Sequence, residues 1–148
     1  LNRCPKEIEY GMERCDVLKI SDNEVEFLFD TTDYDKGAAL SKKNIISRLR
    51  WSQWEKTEAA LTTKTWKWEA APFLQEHTIE TTGAGDTFCA SSLNYILEHG
   101  LDDLTEENLK ELLTFANAAA SLITTRKGAL RVMSTKEEVL DFMKSRGC

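Results

Sequence analysis

Glu80-Thr81-Thr82-Gly83-Ala84-Gly85-Asp86-Thr87-Phe88 runs from β-favouring threonines through a turn of small residues into an apolar helical pattern. Gly83 and Gly85 permit close backbone approach and φ > 0, so successive amide N–H groups are able to converge on an anion at the positive end of a helix. The stretch therefore reads as a phosphate site. Asp86 falls in the helix's first turn, where the dipole favours a carboxylate. It also lies beside the place a phosphate would occupy, where a base for an attacking hydroxyl is needed. Local chemistry leaves an equal alternative, an ordinary acidic residue opening a helix after a glycine turn.

Outward from this turn, Phe73, Ile79 and the threonines around 81 predict a strand leading into it. Downstream, a helix is predicted over 84–98 with Phe88, Cys89, Leu93, Ile96 and Leu97 on one face, ended by Gly100. Thr105 is the expected cap of the next helix, with Glu106 and Glu107 in its first turn. Leu109, Leu112, Leu113, Ala116, Ala120 and Ile123 form its apolar stripe. The small residues Ala116 and Ala118 to Ala120 would admit a flat ring or another backbone, and Asn117 is the polar exception among them. Thr125-Arg126-Lys127-Gly128-Ala129 reads as a helix exit and loop whose basic residues complement the helix C-terminus. A last helix starts near Thr135, with Ser134-x-x-Glu137 as its capping box and Val139, Leu140 and Met143 facing the core.

Upstream, Ile8 and Met12 lie four apart and predict a helix end within residues 1–14. Asp16-Val17-Leu18-Lys19-Ile20 reads as a short buried strand, and Ser21-x-x-Glu24 opens a helix carrying Val25, Leu28 and Phe29. A further helix is predicted over 34–43 after the turn-like Thr31-Thr32-Asp33. Because helix and strand patterns alternate, the fold class is α/β with a mostly parallel sheet between helices.

The chain has 148 residues, enough for one domain or a fragment of a larger one. A net charge of −6 argues against nucleic-acid or anionic-membrane partners, which need clustered Lys and Arg. No apolar run approaches the ~20 residues of a membrane span. The N-terminus, with Arg3, Lys6 and Glu7 close together, lacks the apolar core of a signal peptide, so a cytoplasmic location is expected. Cys4, Cys15, Cys89 and Cys148 lack Cys-x-x-Cys spacing, and His77 and His99 have no companion at ligand spacing, so neither disulfides nor zinc are indicated.

Thr82-Gly83-Ala84-Gly85-Asp86 followed by a helix resembles the C-terminal signature of the ribokinase-like (pfkB) sugar kinases, Asp-Thr-x-Gly-Ala-Gly-Asp. The resemblance recurs in family order at Asp16 to Glu24, at Phe115 to Ala120 and at Thr125 to Ala129, covering roughly residues 10–43 and 70–143. It implies the C-terminal half of a ribokinase-like three-layer αβα sandwich that, joined to an N-terminal half carrying the sugar pocket and lid, transfers the γ-phosphoryl of ATP to a sugar hydroxyl; the half alone is expected to be inactive. Fructose is the first choice, because Ser21-Asp22-Asn23-Glu24 is similar to the fructokinase form; ribose, ketodeoxygluconate and nucleosides stay open. By the same resemblance Asp86 is the base, and the amides of Gly83, Ala84 and Gly85 hold the transferring phosphoryl group. Asn117 and Ala120 lie beside the adenine, and Glu24 helps hold Mg²⁺ through water. Glu80, Thr82, Ile123 and Gly128 offer carbonyls to a monovalent cation such as K⁺. Glu80 stands where the family has Asp, and Ser21 where the wider family has Asn. A homodimer is the assembly the resemblance allows for a full-length enzyme. The alternative from another class is a nucleotide-binding or structural remnant without turnover.

Residues 44–69 depart from the family pattern: they contain no glycine and hold all four tryptophans, Trp51, Trp54, Trp66 and Trp68. Gln-Trp-Glu-Lys at 53–56 must be encoded CAR TGG GAR AAR. Read from the third base of the glutamine codon, this gives Met or Val, then Gly, then Lys or Glu, similar to a strand-ending Met-Gly-Lys of the family. The window is therefore read as translated out of frame. It is expected to lack a buried strand and to form a charge-rich insert between ordered flanks.

Overall fold

The structure is a computed structural model describing residues 5–33, 36, 49–53, 59–63, 67–70, 73–102 and 104–148. The chain forms two compact units, Leu1–Lys56 with Ala60–Lys67, and Thr57–Ala59 with Trp68–Cys148.

In the first unit, helix α1 (Pro5–Met12) precedes strand β1 (Val17–Ser21) and helix α2 (Asp22–Phe29). Met12, Ile20 and Val25 are buried together, with Leu18, Leu28 and Phe29 packed against them, as the apolar spacing predicts. Only Ile20 of β1 is fully buried, so the strand is half-covered rather than enclosed. The predicted helix over 34–43 lies outside the described residues, except for Lys36, which is helical.

Within the window 44–69, residues 49–53, 59–63 and 67–69 are in strands. Strand β2 (Leu49–Gln53) pairs in parallel with β1, in register from Val17 opposite Leu49 to Ser21 opposite Gln53. Strand β3 (Ala59–Thr63) lies next to β2. Ladder pairing uses backbone N–H and C=O groups, which every non-proline residue carries, so a segment without clean side-chain periodicity still pairs.

Strand β4 (Lys67–Ala70) has its last three residues in the second unit, which is built on three helices: α3 (Ala84–His99), α4 (Glu106–Ile123) and α5 (Lys136–Ser145). A 3₁₀ turn, Leu130–Val132, links α4 to α5. The predicted strand over 73–81 does not form; this segment is irregular. Its amides are satisfied at the end of α4 instead, where the Thr124 carbonyl accepts from Ile79 N–H (2.8 Å) and Glu80 N–H (3.2 Å). The core is Phe88, Leu109, Leu112, Leu113, Ile123 and Val139, all but fully buried. The stripe predicted for α4 is the buried one.

The buried face of α3 differs from the prediction. It carries Thr87, Phe88, Ser92, Tyr95 and Ile96, while Leu93 and Leu97 are 41% and 84% exposed. Two of the polar residues on that face are compensated: Ser92 Oγ donates to the Phe88 carbonyl at 2.8 Å, and the Tyr95 hydroxyl donates to Glu111 at 2.8 Å. Packing against α4 selected the face, and hydrogen bonding removed the penalty for placing the Ser92 and Tyr95 hydroxyls on it. The last capping box also moves by one residue. Thr135, not Ser134, caps α5, its Oγ1 accepting from Glu138 N–H at 3.3 Å while Glu138 accepts from Thr135 N–H at 2.9 Å.

Candidate active site

Gly83 is the N-cap of α3 and adopts φ 82°. That left-handed conformation penalises any residue with a Cβ, and packing penalises it again, since a Cβ here would lie 3.2 Å from Ala129 Cβ and 3.5 Å from Ile123 Cδ1. The turn thus rests directly on the end of α4 and the loop after it. Gly85 does not share this role: it lies within the first turn of α3 and is not among the glycines with positive φ. The Ala84 amide donates to the Thr81 carbonyl at 3.2 Å, and the Thr87 amide closes the first helical turn on the Gly83 carbonyl at 2.8 Å. The Ala84 bond is at the long end of the normal range. Asp86 is exposed at the same helix start, its carboxylate at the positive end of a 16-residue helix.

Glu80 carries a role that its sequence position does not reveal. Its carboxylate accepts the Gly128 N–H at 3.1 Å, joining residues 48 positions apart. The Thr82 hydroxyl, then the Gly128 amide and the charge of Lys127, hold it below the usual glutamate range. Gly128 takes φ 119°, a conformation that favours glycine. The loop is fastened on its other side by Arg126, which donates to the Val132 carbonyl at 3.1 Å and pairs with Glu138 at 2.8 Å. A carboxylate two residues before a threonine and ahead of a glycine turn is the only trace of this clamp in the sequence.

The residues expected to serve a monovalent cation are close in the chain's path here: Glu80 and Thr82 border the turn, and Ile123 and Gly128 border the loop it touches. The Ile123 carbonyl already accepts the Arg126 amide at 3.0 Å, which leaves one of its two lone pairs. Asn117 is buried at 7% exposure, so it is not a solvated amide. Its Nδ2 donates to the Ala70 carbonyl at 3.3 Å, tying α4 to the end of β4. Ala120, one turn before Ile123, is also buried.

Glu24 belongs to the first unit and does what its spacing predicts. Its carboxylate accepts the Ser21 amide at 2.7 Å and the Ser21 hydroxyl at 2.8 Å, with Lys19 at 3.9 Å. Burial pushes this carboxyl up, but the Ser21 bonds and Lys19 outweigh it and the net shift is downward. Among the described residues no group of three His, Cys, Asp or Glu is arranged to hold a metal ion.

Comparison with known proteins gives this geometry a context. The pfkB carbohydrate kinase family model matches residues 3–136. Fructokinase-2 of Solanum habrochaites is 32% identical over 139 residues, covering 94% of this chain and 42% of that protein. Fructokinase-2 of Oryza sativa subsp. japonica is 34% identical over 130 residues, covering 83% of this chain and 36% of that protein. The chain thus spans under half the length of these relatives. Among solved structures, fructokinase with bound ATP from Xylella fastidiosa superposes with a TM-score of 0.86 at 22% identity, over 100% of this chain and 49% of that one. The fold is therefore that of these kinases, as the alternating patterns and the glycine signature predict. The chain belongs to the pfkB family of carbohydrate kinases.

Proposed function

We propose that this chain forms the phosphate-side part of a fructokinase-like enzyme that phosphorylates a sugar hydroxyl. The observation that carries the reading is the Gly83 turn: a left-handed glycine pressed against Ala129, delivering Asp86 to the start of α3. Solved relatives include a fructokinase with fructose, ADP and calcium from Vibrio cholerae and a ribokinase with ATP and Mg²⁺ from E. coli. The alanines of α4 are buried against protein and Gly83 packs on Ala129 and Ile123, so the nucleotide reading rests on the turn and on the exposed Asp86 at the start of α3.

ATP with Mg²⁺ supplies the phosphoryl group and neutralises its charge. Asp86 takes the proton of the attacking hydroxyl. The amides of Gly83 and Gly85, with that of Ala84 shared with Thr81, stabilise charge on the transferring group. Asn117 and Ala120 are assigned to the adenine side, and Glu24 would help hold Mg²⁺ through water. The carbonyls of Glu80, Thr82, Ile123 and Gly128 serve K⁺, while the Glu80 carboxylate keeps the loop in place. No described helix is long and apolar enough to cross a membrane, and the enzyme is read as cytoplasmic and, at full length, homodimeric. The frame-shifted reading of residues 44–69 stands beside this one. Codons at 53–69 whose shifted frame contains stops would remove it.

The experiment is a phosphoryl-transfer assay over a sugar panel, run on a protein in which an N-terminal half completes this chain, beside an ATP-binding titration. Fructose-dependent ADP release supports the kinase reading. ATP binding without transfer to any sugar favours a nucleotide-binding remnant, and absence of both rejects the site.

A further inference from the structure

Residues 73–80 belong to no helix or strand, yet they are tied at intervals to α4. The Ser121 hydroxyl donates to the Phe73 carbonyl and accepts from Gln75 Nε2 at 3.0 Å. The Ile79 amide donates to the Thr124 carbonyl at 2.8 Å, and just ahead of the segment Asn117 Nδ2 donates to the Ala70 carbonyl at 3.3 Å. Asn117, Ser121 and Thr124 are spaced i, i+4 and i+7, so one edge of the helix end carries all of these ties. Phe73 adds an apolar anchor: it packs on the cluster of Ala118, Ala119 and Val139, its ring 5.6 Å from that of Phe142. The other side of the segment faces solvent, with Leu74 75% and Ile79 63% exposed. It is a strap one chain thick, laid along a helix.

What lies on the same helical edge gives the strap a consequence. At 3.6 residues per turn, Asn117, Ala120, Ser121 and Thr124 share one arc of about 100°. Asn117 and Ala120, the two residues assigned above to the adenine side, are 7% and 6% exposed. With the strap down, a planar base has no access to either. The hold on the strap is a few hydrogen bonds and one ring, each of modest net strength, and a segment with so few buried contacts opens without global unfolding. Glu80 supplies a hinge, because its carboxylate stays fixed on the Gly128 amide. The Gly83 turn lies on the fixed side of that hinge.

We propose that residues 73–79 form an autoinhibitory strap, closed over Asn117 and Ala120 in the nucleotide-free chain and swinging away about Glu80 to admit the base of a nucleotide whose phosphates rest on the glycine turn. This rests on the phosphate and adenine assignments of the proposed function. Apparent affinity falls in proportion to the fraction of open strap. Removing a tie therefore tightens nucleotide binding, the opposite of what loss of a merely structural bond does.

Ser121→Ala removes two ties and Gln75→Ala one, and neither residue is among those assigned to the nucleotide. In the 148-residue chain without ligand, each is expected to speed hydrogen exchange of the Ile79 amide about two- to tenfold and to leave the Gly128 amide unchanged. The Kd for ATP should fall by the same factor, while the Kd for tripolyphosphate, which has no base to admit, stays as in the wild type. The proposal is overturned if the Ile79 amide exchanges only with global unfolding, as slowly as those of Leu112 and Leu113, or if Gly128 exchange rises with it. It is equally overturned if tripolyphosphate binds and ATP affinity is unchanged or weaker in both variants. Absence of tripolyphosphate binding is a different failure: it rejects the phosphate reading itself, and the autoinhibition with it.

Discussion

Glu24 and Glu80 are both carboxylates held below the usual glutamate range by a neighbouring hydroxyl and a backbone amide, yet they organise opposite kinds of structure. Glu24 bonds Ser21, three residues away, and starts a helix. Glu80 bonds Gly128, 48 residues away, and fixes the loop on which the glycine turn rests. The same chemistry yields a local cap in one corner and a tertiary clamp in the other. Replacing the first should disturb one helix end. Replacing the second should disturb the candidate site, because Glu80, Gly83, Ile123 and Gly128 are one connected arrangement.

The largest effect is expected at the residue this arrangement presents. In an active sugar kinase completed from this chain, Asp86→Asn should lower phosphoryl transfer ~10²-fold or more while nucleotide affinity is kept, because the shape stays and the base is gone. Near wild-type turnover would remove Asp86 from the chemistry and reduce the glycine-turn corner to structure alone.

Next comes the contact under the turn. Gly83→Ala must hold φ 82° and place its Cβ 3.2 Å from Ala129 Cβ, which should cost about 1–3 kcal/mol in urea unfolding. A neutral result would mean that the turn does not bear on the loop. Smaller again is a purely local change: Thr135→Ala, which removes the acceptor of the Glu138 amide, should cost about 1 kcal/mol. A loss as large as that of Gly83→Ala would blur the distinction between local cap and tertiary clamp.

The finest test compares the two glutamates by pH. Each folded pKa lies below the ordinary 4.5, so each contributes stability that is complete above that value and is lost as pH falls below 4.5 through the folded pKa. Glu24→Gln and Glu80→Gln should each make the acid limb of the stability curve shallower. Amide exchange separates them: protection should fall at the start of α2 in the first and around residues 126–129 in the second. Loss around 126–129 in Glu24→Gln, or none there in Glu80→Gln, would break the comparison.

What the amino-acid order determined by itself is what depends on neighbours within a turn or two of helix. The Ser21 to Glu24 pair, the Thr105 cap, the buried stripe of α4 and the glycine turn before Asp86 all follow from spacing, because helix geometry places those atoms together whatever surrounds them. Tertiary structure decided the rest. It chose Ser92 and Tyr95 over Leu93 and Leu97 for the inner face of α3, since α4 could satisfy their hydroxyls or leave them bonded within the helix. It replaced the predicted strand over 73–81 with two bonds to the Thr124 carbonyl. It paired Leu49–Gln53 with β1 despite an aperiodic sequence, and it turned Glu80 toward Gly128. Each of these depends on partners far along the chain, and a backbone or carboxylate acceptor carries no mark in sequence of which distant donor will reach it.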